Sequence, residues 1–62
     1  MDSVATKFQQ IYVNLPLNQR QEVVVVIDDE PISWNAVKLE IDNDTDKGKQ
    51  ALEILVKLGI IK

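Results

Sequence analysis

Apolar residues recur along most of this chain at helical spacing, and that period sets the fold class it leads one to expect. Val4, Phe8, Ile11 and Tyr12 stand at i, i+4, i+7 and i+8, which predicts a helix over about 3–13 with one apolar face and Ser3 as its N-cap. Asn14-Leu15-Pro16-Leu17 interrupts it, because Pro16 lacks a backbone donor and disfavours helical geometry at Leu15. Ser33 can cap a helix running to about Ile41, with Trp34, Val37 and Ile41 on its buried side. The last segment has the clearest period. Ala51, Leu52, Leu55, Leu58 and Gly59 fall on one side and Lys49, Gln50, Glu53 and Lys57 on the other, which predicts a helix over about 45–58 that Gly59 terminates.

The segment between these helices has conflicting signals. Asn18 followed by Gln21 resembles a capping box, and Gln19-Arg20-Gln21-Glu22 are good helix formers. Val23-Val24-Val25-Val26-Ile27 is a run of β-branched residues that favours a strand. A strand there would look to Ile32–Asp42 for a partner, where Val37, Leu39 and Ile41 alternate, and two isolated strands make a marginal sheet. Asp28-Asp29-Glu30-Pro31 is a turn by composition. The expectation is therefore an all-α fold, a small bundle of four short helices at about 3–13, 18–28, 33–41 and 45–58. The alternative is α+β with a hairpin over 22–42.

Length and composition narrow the chemistry. A chain of 62 residues supports one small core and so one domain, and 45% apolar with 27% charged residues places it among folded chains. Cysteine and histidine are both absent, which excludes disulfides, Cys/His zinc sites, thiolate nucleophiles and histidine bases. A catalytic carboxylate pair would still need a substrate cleft, for which so short a chain has little volume, so a non-enzymatic protein is expected. Residues 1–14 show no basic-then-apolar leader and no run is apolar enough to span a bilayer, so a cytoplasmic protein without a membrane role is expected.

The net charge of −3 conceals an uneven distribution: residues 28–46 carry −6 and the rest +3. An acidic middle attracts cations or a basic partner and repels phosphate backbones. Within and just beyond it, residues 42–53 place Asp42, Asp44, Asp46 and Glu53 at the first, third, fifth and twelfth positions of a twelve-residue window. With a predicted helix on either side, this window resembles an EF-hand loop. The resemblance implies weak binding of Ca2+ or Mg2+, with Asp42, Asp44, Asp46 and Glu53 as side-chain ligands, Gly48 offering its carbonyl and Gln50 ligating directly or through water. The family's bend glycine is at the sixth position, where this chain has Lys47 and places its glycine one residue later. The same acids also have an ordinary structural reading. Asp44 or Thr45 can cap the last helix, acids in its first turn suit the helix dipole, and Glu53 lies four residues from both Lys49 and Lys57.

Leu17-Asn18-Gln19-Arg20-Gln21-Glu22-Val23, then Ile27, Ile32-Ser33 and Lys57-Leu58-Gly59-Ile60, are similar in spacing to the LuxR-type helix-turn-helix domain over 17–60. That resemblance implies nucleic-acid binding through the last helix, with Lys47, Lys49 and Gln50 as contacts. Asp42, Asp44 and Asp46 would then face phosphates. Trp34 fits a core position better than an interface anchor. The broad apolar arc of the last helix, widened by Ile54 and Val56, suits a protein partner, self-association or full burial. The expected function is a small binding or interaction module with a candidate divalent-cation loop at 42–53, and helix-turn-helix nucleic-acid binding is the alternative.

Overall fold

Valine and isoleucine prevail over helix propensity in the disputed segment. The computed structural model describes residues 3–62 as α1 (Val4–Val13), a 3-10 turn (Gln19–Gln21), β1 (Val23–Ile27), β2 (Glu30–Ser33), α2 (Trp34–Asp42) and α3 (Asp46–Lys57). The fold is α+β, and the four-helix expectation is corrected at 18–28. There only one short turn is helical and the β-branched run is a strand. Of the Ile32–Asp42 segment expected as its partner, Ile32 and Ser33 do pair with it and the rest does not. β1 pairs antiparallel with Glu30–Ser33, while the alternating Val37, Leu39 and Ile41 belong to α2.

The hairpin closes through Asp28 and Asp29 at φ 52° and 65°, between the paired residues Ile27 and Glu30. Two central residues at positive φ make the turn type whose twist matches that of the strands, and aspartate tolerates this region better than most residues. Pro31 sits within β2 opposite Val26. The register shifts between Val23 and Val25, so Val24 is an extra residue in β1. This bulge breaks the alternation. Val25 and Ile27 point into the core with Ile32, whereas Val23, which regular alternation would turn inward too, is 56% exposed.

Three helices cover the hairpin's inner face. Phe8, Tyr12, Val25, Ile27, Ile32, Val37, Ala51, Leu55 and Ile61 form the buried core, with Trp34 and Ile41 packed against it. The Phe8 ring lies 6.1 Å from Tyr12 and 5.7 Å from Trp34, tying α1 to the start of α2. Leu58, expected on the inner side of α3, is exposed. Gly59 ends α3 at φ 78°, with Gly59 N donating to Val56 O and Ile60 N to Leu55 O.

The α2–α3 corner is built by the same device, with Asp44 at φ 55° where glycine is usual. Asp44 N donates to Ile41 O and Thr45 N to Glu40 O. Thr45 then caps α3, its Oγ1 accepting from Gly48 N at 3.1 Å. A Cβ at Gly48 would stand 3.0 Å from the Glu40 carbonyl carbon and oxygen, so the absence of a side chain lets α3 meet the backbone of α2. Gly48→Ala is expected to lower stability by about 1–3 kcal/mol through overpacking, against alanine's higher helix propensity. Urea unfolding checks this, and an increase in stability would show that the corner has slack.

Candidate functional site

The twelve residues of the cation window are distributed over three structural settings. Asp42 is the last residue of α2, Asp44 lies in the corner, and Asp46, Gly48 and Glu53 lie along α3. Asp42 receives hydrogen bonds from Lys38 Nζ at 2.7 Å and Gln9 Nε2 at 3.2 Å. The Lys38 ammonium, foremost through that hydrogen bond, holds the Asp42 carboxyl below the usual aspartate range. Gly48 is buried and lies inside the helix, where its carbonyl belongs to the α3 ladder. Asp46 and Glu53 are separated by two helical turns, about 10 Å at 1.5 Å per residue. Among the described residues no three carboxylates gather in a position to hold a metal ion.

The nucleic-acid candidates are also divided. Lys47 Nζ reaches Glu30 Oε1 at 3.3 Å, an ion pair that fastens the first turn of α3 to β2. Lys49 and Gln50 are exposed on α3. Lys49 and Glu53 rim a shallow apolar groove of about 370 Å³ whose other walls are Val4, Leu52 and Val56. A three-residue corner, 43–45, joins α2 to α3.

The spacing of apolar residues gave no sign of a cationic cluster around the ring of Tyr12. The Arg20 guanidinium stands 4.4 Å from the Tyr12 ring centroid and Lys38 Nζ 5.5 Å from it, while the Tyr12 hydroxyl donates to Asn35 Oδ1. Arg20 Nη2 also reaches Val13 O at 3.4 Å. Together these contacts fix the 3-10 turn against α1 and α2, and with it the start of β1.

β1 is the element left incomplete. In a two-residue hairpin the closing pair, Ile27 and Glu30, exchanges hydrogen bonds, and the pairs alternate from there. Val25 and Ile32 therefore bond to each other, and the backbone groups of Val26 and Pro31 face away from the hairpin. On β2 that outward position is occupied by proline, which has no N–H to offer. On β1 it is Val26, whose side chain is 58% exposed. The sheet has two strands only, and among the described residues no backbone or side-chain hydrogen bond reaches the outer edge of β1. No helix among the described residues is long and apolar enough to cross a membrane.

No family model, no curated protein and no solved structure matches this chain.

The Lys38–Asp42 pair gives a pH expectation. A lowered carboxyl pKa in the folded state contributes stability that is complete above the ordinary aspartate range and is lost as pH falls through the lowered value. Lys38→Met is expected to move the Asp42 midpoint back up toward the ordinary value, read from its carboxyl carbon shift. An unchanged midpoint would show that Lys38 is not the cause.

Proposed function

We propose that this protein is a small non-enzymatic interaction module that binds a protein partner through the hairpin. One observation carries the reading: β1 is an uncharged β-branched strand whose outer edge no hydrogen bond reaches among the described residues, with Val23 and Val26 exposed. Edges of this kind are normally blunted by charge, proline, a bulge or a covering element; β2 has Pro31 at its outward position, whereas β1 has only the bulge at Val24, with neither charge nor proline along Val23–Ile27. Addition of a strand to an open sheet edge is a common way of recognising an extended peptide.

Divalent-cation binding at Asp42–Glu53 rests on sequence spacing alone. Helix-turn-helix nucleic-acid binding has one observation in its favour, the α2–α3 corner with Lys49 and Gln50 exposed on its second helix.

Titrations followed by amide chemical shifts separate the readings. Extended β-branched peptides are expected to move the resonances of Val23–Ile27, with little change elsewhere. Saturable shifts confined to residues 42–53 on adding calcium, with β1 silent to every peptide, would replace this reading with the cation site. Shifts centred on Lys49 and Gln50 with a short duplex DNA at low salt would replace it with nucleic-acid binding.

A further inference from the structure

The partner's chemistry follows from what flanks the open strand. β1 is five residues long, about 17 Å of extended chain at 3.3–3.4 Å per residue, and nothing on its outer face is charged. Both of its ends are acidic. Glu22 precedes it, Asp28 and Asp29 follow it, and all three are exposed. Glu30 is already paired with Lys47, whereas among the described residues no ion pair engages Glu22, Asp28 or Asp29.

We propose that β1 accepts, as a third strand, an extended segment of another protein whose central five or so residues are β-branched or apolar and whose ends carry lysine or arginine. This rests on the interaction-module reading above and names the occupant of that same edge. In either strand direction, the residues beyond the ends of the incoming segment lie beside Glu22 or beside Asp28 and Asp29, where opposite charges directly across a pair are favourable and like charges are not. That rule also decides against a second copy of this chain. Antiparallel pairing of two β1 strands centred on Val25 sets Glu22 of each copy opposite Asp28 of the other, between molecules that each carry a net charge of −3. The edge of β2 cannot take the segment in the same way, because Pro31 occupies its outward-facing position.

The probe is a capped peptide, Lys-Lys-Val-Thr-Val-Thr-Val-Lys-Lys, compared with the same peptide carrying glutamates at its ends and with a version N-methylated at each of its five central residues, which removes the donors of both strand edges. The lysine peptide is expected to shift the β1 resonances and to protect the Val26 amide from exchange. The glutamate peptide is expected to bind at least about tenfold more weakly, and the N-methylated one not at all. Glu22→Gln with Asp28→Asn and Asp29→Asn, which retain a side chain tolerant of positive φ, should weaken the lysine peptide by about three- to tenfold while the circular dichroism spectrum stays unchanged. Equal binding of the two charge versions at β1 would overturn the basic-partner proposal and leave the interaction-module reading standing. Failure of every extended peptide to touch β1 would overturn both. Binding of the lysine peptide in the Val4, Leu52 and Val56 groove would move the site and overturn the proposal. So would a concentration-dependent dimer with contacts across β1 strands in the absence of peptide, since it would give the edge to a second copy.

Discussion

A two-stranded hairpin does not hold itself together in water, and the architecture of this chain follows from that constraint. Val25, Ile27 and Ile32 are removed from solvent only because α1, α2 and α3 supply Phe8, Val37, Ala51 and Leu55 to cover them. Burial of each such side chain is worth about 1.5–3 kcal/mol, against a total stability of about 3–9 kcal/mol for a chain of 62 residues at 0.05–0.15 kcal/mol per residue. The helices are therefore committed to one face of the hairpin. Among the described residues none completes the outer face or the edge of β1.

Close approach of α2 and α3 makes that coverage possible. Gly48 and Ala51 keep the inner side of α3 thin, and the Asp44–Thr45 corner reverses the chain in three residues, 43–45, between the two helices. The hydroxyl of Thr45 caps α3 and also reaches the Glu40 carboxylate at 3.1 Å, so one side chain serves both helices. Most of the acids and the glycine of residues 42–48 thus have structural tasks: Asp42 pairs with Lys38, Asp44 adopts positive φ, Asp46 stands in the first turn of α3 where the helix dipole favours it, and Gly48 makes room for backbone. At the surface, Lys47 links the first turn of α3 to the hairpin through Glu30. Two exposed acids, Asp28 and Asp29, stand at the turn of the hairpin, at the end of β1.

Helical periodicity was readable from the sequence because each helix buries one stripe. Ser3, Ser33 and Thr45 cap helices where the spacing puts their starts, and Gly59 ends the last one. The hairpin was harder to read for two local reasons. Asp28-Asp29 lacks the glycine that usually marks a turn of this type, and Pro31 looks like a strand breaker although it sits at an edge position that needs no N–H. Val37, Leu39 and Ile41 alternate as a strand would, but the spacing of Val37 and Ile41 equally suits the helix they form. Of the chemistry, the acidic spacing was visible but its distribution over a helix end, a corner and a helix was not, since ligand spacing in sequence does not determine convergence in space. The Arg20–Tyr12–Lys38 cluster joins three separate elements and leaves no mark on any local pattern. The open edge of β1 could be seen only once register and turn type were known.

Amide hydrogen exchange along β1 tests most directly whether the hairpin is held by its inner face alone. Val25 and Ile27 bond toward β2 and are expected to exchange only through unfolding of the whole domain, while Val26, facing outward from the same strand, exchanges at least about a hundredfold faster. Protection of Val26 equal to that of Val25 and Ile27 would contradict the account by showing that the edge is already covered. Rapid exchange at all three would contradict it from the other side, because the helices would then not be holding the hairpin.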